Sequence, residues 1–102
     1  MQQPTFKRHY TPAITRTHIG SGVQRIYHFE NGYGASVIPE YEYTSTFEVV
    51  PITDLWELAV TKRSVIDPDD YVLCYDSPIA DDVIRRLTNH EVEELLDRIA
   101  GL

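Results

Sequence analysis

The sequence predicts an α+β fold: an antiparallel meander of four to five strands with two C-terminal helices packed on one face of the sheet. Asn31-Gly32 lies between two runs rich in aromatic and β-branched residues, which is typical of a β-hairpin. Two further strand-like runs follow, at residues 55–61 and 71–75. The last quarter of the chain carries two amphipathic patterns of helical period. A chain of 102 residues with 42% hydrophobic content suffices for one domain with a modest core.

The hairpin comprises residues 23–29 and 33–38, and its turn is predicted to be of type I′ because Asn and Gly both tolerate positive φ. Pro39 ends the second strand or places its end at a sheet edge, since proline cannot donate a ladder hydrogen bond. Residues 40–50 combine strand-favouring side chains with interspersed glutamates. They fit either a long irregular loop or an additional edge strand.

Two later runs complete the predicted meander. Residues 55–61, LWELAVT, place Trp56, Leu58 and Val60 on one side, which predicts a central strand. Residues 62–70 contain a proline and three aspartates and are predicted to connect it to the last strand, YVLCY at residues 71–75.

Capping signals mark the start of each predicted helix. Ser77 suits the N-cap and Pro78 the first position of the first helix, whose apolar stripe is Ile79, Val83, Ile84 and Leu87. Thr88 and Glu91 have the spacing of a capping box for the second helix, whose stripe is Val92, Leu95, Leu96 and Ile99. Neither helix can bury its stripe alone, so both are expected to pack on the sheet.

Residues 1–22 are predicted to form an extended basic N-terminal arm, and residues 23–102 a single α+β domain. The arm contains prolines and glycines without a sustained period, and its KRHY cluster at residues 7–10 fits a solvated tail, a segment neutralising the acidic body, or a contact with phosphate or an acidic partner. The N-terminus lacks the apolar core of a signal peptide, and no run approaches the roughly 20 apolar residues of a membrane span. Together with the single cysteine, these features predict a cytoplasmic protein with no membrane contact.

Charge is distributed unevenly along the chain. Residues 1–25 hold four basic residues and no acid, whereas residues 26–102 hold five basic and all sixteen acidic residues, giving +4 and −11 within a total of −7. Such an acidic body repels phosphate backbones, which disfavours general nucleic-acid binding, and attracts basic protein surfaces at low salt. The alternative is that the acidity only keeps a small protein soluble.

No metal or cofactor site is predicted. His9, His18, His28 and His90 have no metal-ligand spacing, and one cysteine cannot supply a zinc site of the usual composition. Asp67, Asp69 and Asp70 could attract a hard cation, but they lack the ligand spacing and glycine of a calcium loop. The glycines of NGYG have neither the length nor the context of a phosphate loop.

Catalysis and DNA reading are also disfavoured. Cys74 with His28 and Asp76 would make a nucleophilic set only if the three converged in space, and a cysteine in an apolar strand is usually just buried. The paired helices suggest a helix-turn-helix, but the second presents four acids against only Arg98. We therefore predict that the protein is not an enzyme.

Three blocks together resemble a known family: FENGYGASVI at residues 29–38, LWELAV at residues 55–60, and YDSPIADDVIRRLTNHEVEELLDRI at residues 75–99. They are similar to small acidic proteins encoded by phages and prophages of actinobacteria. The resemblance implies an accessory protein acting inside a bacterial host and carries over no catalytic residue. The chain departs from the family pattern in residues 41–54 and in its longer N-terminal arm.

We predict a non-enzymatic phage or mobile-element accessory protein that binds a host protein through an acidic surface in the host cytoplasm. A partner with a basic surface would fit, such as a nucleic-acid-handling defence component that the protein inhibits. The candidate interaction residues form two acidic clusters, which are Glu91, Glu94 and Asp97, and Asp67, Asp69 and Asp70. The alternative is a structural phage protein that self-assembles into a homo-oligomer by edge pairing of residues 41–50.

Overall fold

The computed structural model describes residues 10–17, 22–80 and 82–102, in which six antiparallel strands form one sheet and a single helix follows. The elements are β1 (Ile14–Thr17), β2 (Val23–His28), β3 (Tyr33–Tyr43), β4 (Val49–Arg63), β5 (Tyr71–Leu73), β6 (Ile84–Leu87) and α1 (Asn89–Ala100). The sheet order is β1-β2-β3-β4-β5, and β6 also pairs with β4. The predicted α+β class and antiparallel sheet are confirmed. Over the described ranges, no helix is both long enough and apolar enough to cross a membrane.

The β2–β3 hairpin is confirmed, but its predicted type I′ turn is wrong. Within this turn, Gly32 alone has a positive φ (87°), and the Phe29 carbonyl accepts a hydrogen bond from the Gly32 N–H at 3.2 Å. Phe29 and Tyr33 close a three-residue loop, in which Gly32 supplies the left-handed residue. The Asn31 amide instead donates to the Ile99 carbonyl at 2.9 Å, so its side chain ties the turn to the end of α1.

Residues 40–50 form neither a loop nor a separate edge strand. Residues 40–43 prolong β3, residues 49 and 50 begin β4, and a turn at residues 44–48 joins them. The Thr44 hydroxyl accepts hydrogen bonds from the N–H groups of Thr46 and Glu48, which holds this turn. The result is a two-stranded extension of the sheet with Phe47 exposed at its tip.

The predicted first C-terminal helix does not form, and the predicted last strand is shorter than expected. Ser77 makes the expected capping contact, since its hydroxyl accepts from the Ala80 N–H at 3.0 Å, but no helix propagates from it. Residues 84–87 form β6 instead, which pairs with β4 between Trp56 and Leu58. The physical reason is that β6 brings a basic side chain onto a buried carboxylate of β4, as described below, and buries Leu87 beneath α1.

The core lies between α1 and one face of the sheet. Residues opposite one another in neighbouring strands share a face, which places Tyr27, Ala35 and Val60 together in one row and Val37 and Leu58 in the next. From α1, the buried side chains Val92, Leu96 and Ile99 complete this core. The predicted capping box is confirmed, with both Thr88 and Glu91 in place. In addition, the Trp56 indole N–H donates to Asn89 Oδ1 at 2.7 Å, which fixes the first turn of α1 on β4.

Candidate functional site

The β4–β5 connection, residues 64–70, is an ordered projecting loop that we call the acidic loop. The Ser64 N–H donates to the Asp70 carbonyl at 2.9 Å and closes the loop. The Ser64 hydroxyl accepts from the N–H groups of Ile66 and Asp67, at 3.1 and 3.3 Å. Local side-chain to backbone bonds of this kind fix a turn without any help from the core. The loop is therefore shaped by its own residues.

Two apolar side chains stand at the tip of the acidic loop. Val65 is 97% exposed and Ile66 92%, so both are almost entirely in water. Single exposed apolar residues are ordinary on protein surfaces, but an adjacent pair held in one ordered turn forms a small, preshaped apolar contact. Nothing in the packing of the fold accounts for this pair.

The three predicted aspartates follow that apolar pair in the same loop. Asp67 Oδ1 accepts from the Asp69 N–H at 3.1 Å, and Asp70 Oδ1 accepts from the Tyr71 N–H at 2.9 Å. All three are exposed, and over the described part of the chain no cation lies within ion-pair distance of them. The structure thus brings together three carboxylates whose charge is not neutralised and an apolar pair that the sequence analysis did not select.

The second predicted cluster, on α1, makes intramolecular contacts instead. Glu91 Oε1 accepts from the Thr88 N–H at 3.0 Å, and these capping bonds lower the pKa of Glu91. Glu94 lies 2.7 Å from His90 Nε2 on the next turn, and Asp97 Oδ1 accepts from the Tyr10 hydroxyl at 2.6 Å. Each of these three acids therefore has a structural partner within the chain.

Cys74 is placed as a buried thiol. Its Sγ donates to Asp76 Oδ1 at 3.2 Å, and burial followed by this hydrogen bond raises the pKa of the thiol. His28 does not approach it as a base but stacks on the Tyr71 ring, with ring centroids 3.7 Å apart. The pKa of His28 is lowered by burial and by the nearby Arg63 charge. This geometry opposes the formation of a reactive thiolate.

Sequence reasoning missed a buried ionic cluster, which we call the Arg85 cluster. Two glutamate side chains, Glu40 and Glu57, are only 8% and 6% exposed and converge on Arg85, whose side chain is 65% exposed. The guanidinium lies 3.7 Å from Glu40 Oε1 and in direct contact with Glu57 Oε1, while the Arg86 N–H donates to Glu40 Oε2 at 3.1 Å. Within the described ranges, the two buried carboxylates thus share one cation and one backbone donor.

The Arg85 cluster coincides with irregular backbone. The β3–β4 register shifts between Pro39 and Tyr41, at Glu40, and the β4–β6 register shifts between Trp56 and Leu58, at Glu57. β-Bulges reorient side chains in this way. The only sequence signals were a glutamate within an apolar strand and the adjacent basic pair Arg85-Arg86. Beside the cluster, on the sheet face opposite α1, lies a shallow cleft of about 170 Å³ lined by Glu57, Ile38 and Val83 among others.

No group of three or more potential ligands among the described residues could hold a metal ion. Of the histidines, His9 and His18 lie outside the described residues, as do residues 7–9 of the basic KRHY cluster. Within the predicted arm, Ile14–Thr17 forms β1 and pairs with β2. Comparison with known proteins finds no matching family model, curated protein or solved structure.

Proposed function

We propose that this chain is a non-enzymatic accessory protein that binds a basic protein of a bacterial host through the acidic loop. The observation that carries the proposal is that one loop holds Val65 and Ile66, both more than 90% exposed, and three carboxylates for which the described residues provide no cation. An apolar anchor surrounded by charge is how many protein interfaces are built, with a desolvated centre and a polar rim.

The chemistry of the loop defines the partner. Two branched apolar side chains require a shallow apolar depression, and the surrounding carboxylates require lysine or arginine at its rim. Surfaces with that charge are common on proteins that handle nucleic acid, whose binding sites are basic. Inhibition of such a protein in a host defence system is the specific form of the proposal, because an acidic loop occupying a basic groove would compete with phosphate.

The acidic loop is favoured over the α1 acids because its charges are not used within the fold. Glu91 caps α1 and Glu94 contacts His90, so both carboxylates already bond within their own helix. The loop bonds of Asp67 and Asp70 go to backbone N–H groups, which leaves the negative charge unneutralised. A preshaped loop also loses little conformational entropy on binding.

The test is capture of the tagged full-length chain from actinobacterial lysate at low and at high salt, with bound proteins identified by mass spectrometry. Three variants are compared with the parent chain: Val65→Ser with Ile66→Ser, the triple change of Asp67, Asp69 and Asp70 to Asn, and a control triple change of Glu30, Glu42 and Glu48 to Gln. The control alters net charge equally at exposed positions elsewhere. Asparagine keeps the Oδ1 acceptors of the loop bonds, so the loop shape is retained.

We expect a salt-sensitive partner that both loop variants lose and the control retains. Loss of the partner from the control as well as from the aspartate variant would mean that net charge alone attracts it. A partner captured equally by all forms, or none above background, would overturn the proposed site.

A further inference from the structure

The outer side of α1 carries a groove that the proposed function does not use. It has a volume of about 290 Å³ and lies between α1, β6 and the segment containing Ile79. Its floor consists of the apolar side chains of Ile79, Ile84, Leu87 and Leu95, and its helical wall carries Glu91, Glu94 and Arg98. We call this surface the α1 groove.

The charges along the α1 groove are arranged in a self-complementary way. Glu91 and Arg98 are seven positions apart, which is two helical turns, so they lie on the same stripe with Leu95 between them. In an antiparallel pair of identical helices related by a two-fold axis near residues 94 and 95, residue 91 of one copy faces residue 98 of the other. Each glutamate then meets an arginine, and the Leu95 side chains meet near the axis.

Both charges are able to make this contact. The Arg98 side chain has no hydrogen-bond or ion-pair partner among the residues that the structure describes, although it lies in the last turn of α1. Glu91 uses Oε1 for its bond to the Thr88 N–H, and its side chain is exposed. Glu94 also lines the groove and contacts His90 Nε2 at 2.7 Å on its own helix. Its copy lies near it across the axis, so two attractive Glu91–Arg98 pairs outweigh one contact between like charges.

We infer that a second copy of this chain occupies the α1 groove, giving a two-fold dimer through antiparallel packing of α1 on α1. A two-fold interface must be complementary to itself, and the Glu91, Leu95 and Arg98 stripe satisfies that condition, whereas an acidic or a basic stripe alone would repel its copy. The contact of one helix and its flanking apolar residues is smaller than the roughly 1,600 Å² of a standard interface, so dissociation in the micromolar range is expected.

Charge reversal distinguishes this specific dimer from non-specific association. Arg98→Glu places two pairs of glutamates in contact across the axis, and Glu91→Arg places two pairs of arginines there, so each variant should be monomeric. In an equal mixture of the two variants every charged pair is attractive, and a heterodimer should form. Glu48→Arg is the matched control, because it reverses an exposed charge in the β3–β4 turn, far along the chain from α1.

Analytical ultracentrifugation over about 1–500 µM is the measurement, since mass action makes a weak dimer visible only at high concentration. We expect a monomer–dimer equilibrium for the parent chain and for Glu48→Arg, a loss of at least about tenfold in self-association for each α1 variant, and recovery in the mixture. Because Glu91→Arg also removes half of the capping box, circular dichroism must show that its helix is retained.

If the Glu91→Arg chain does not fold, Leu95→Asp replaces it as a variant of the apolar centre, and weakened association is again expected. A parent chain that stays monomeric throughout, or a dimer that Arg98→Glu leaves intact, would overturn the inference. The acidic loop lies outside the α1 groove, so a monomeric Arg98→Glu chain should still capture the partner proposed above. Failure of one proposal is thereby distinguishable from failure of the other.

Discussion

Replacing Arg85 by methionine tests the Arg85 cluster, the least expected feature of the structure. The substitution keeps much of the apolar stem and removes the cation that, among the described residues, pairs with Glu40 and Glu57, which are 8% and 6% exposed. Removing the partner of a fully buried charge costs about 3–5 kcal/mol, whereas an exposed ion pair contributes about 0–1 kcal/mol to stability. Since Arg85 itself is 65% exposed, we expect an intermediate loss of about 2–3 kcal/mol in the free energy of unfolding.

The assay is urea unfolding followed by the fluorescence of Trp56, which is the only tryptophan and is 1% exposed. A double-mutant cycle with Glu57→Gln separates the ionic interaction from the loss of packing. Because glutamine removes one of the two buried charges, Arg85→Met should cost less in the Glu57→Gln background, with a coupling of about 1–2 kcal/mol. Lys62→Met is the control, because it breaks a pair with exposed Asp76 at 3.5 Å and should cost less than about 1 kcal/mol. Strictly additive effects, or equal losses for Lys62→Met and Arg85→Met, would refute the reasoning.

Three further predictions concern single positions. Gly34→Ala should lower the free energy of unfolding by about 2–4 kcal/mol, because a Cβ there would lie 2.2 Å from the Tyr27 carbonyl oxygen. The control Gly101→Ala, whose Cβ would have its nearest atom at 3.5 Å, should lower it by much less in the same urea assay. The capping bonds lower the pKa of Glu91, so the ionised carboxylate stabilises the fold at pH values above its ordinary pKa of 4.5, and this contribution is lost as the pH falls through the lower pKa of the folded state. Glu91→Gln should therefore reduce the slope of the unfolding free energy against pH on the acid side. An unchanged slope would contradict this. The Cys74 thiol, whose pKa is raised by burial and the Asp76 bond, should react much more slowly with iodoacetamide in the native chain than in urea, and equal rates by mass spectrometry would contradict its placement.

Features specified by neighbouring residues were predicted well. The capping box needs only Thr88 and Glu91, three positions apart, and it forms as expected. The β2–β3 hairpin also follows from its local sequence, but its turn type does not, because the Asn31 amide bonds to carbonyls at the end of α1, 68 positions or more away. The turn type therefore depends on a contact with α1 that local propensity does not include.

Residues 77–87 show why the other helix was predicted wrongly. Ile79, Val83, Ile84 and Leu87 recur with helical spacing, and Ser77 forms its capping contact, so the local signals favour a helix. The alternative conformation has no local signature, because it depends on Glu57, 28 positions from Arg85. Tertiary contacts override helix propensity in such short segments.

The candidate site was predictable in part for the same reason. The sequence located Asp67, Asp69 and Asp70 in a loop, since a proline among acids does not continue a strand. It gave no means of choosing between them and the α1 acids, because that choice depends on which carboxylates find partners in the folded chain. Nor could it show that Val65 and Ile66 remain outside the core, since an apolar pair is by default expected to be buried.

The Arg85 cluster also has a consequence for the order in which the fold opens. β6 leads directly into α1 through Thr88, and Leu87 of β6 lies in the core with Leu96 of α1. If the cluster holds β6 on β4, then Arg85→Met should release β6 and α1 together while the β2–β3 hairpin keeps its ladder to β4. Native-state hydrogen exchange should accordingly accelerate in β6 and α1 more than in β3. Uniform acceleration over all strands would mean that the cluster stabilises the fold globally and does not specifically hold β6, and the account given for the strand conformation of residues 84–87 would lose its support.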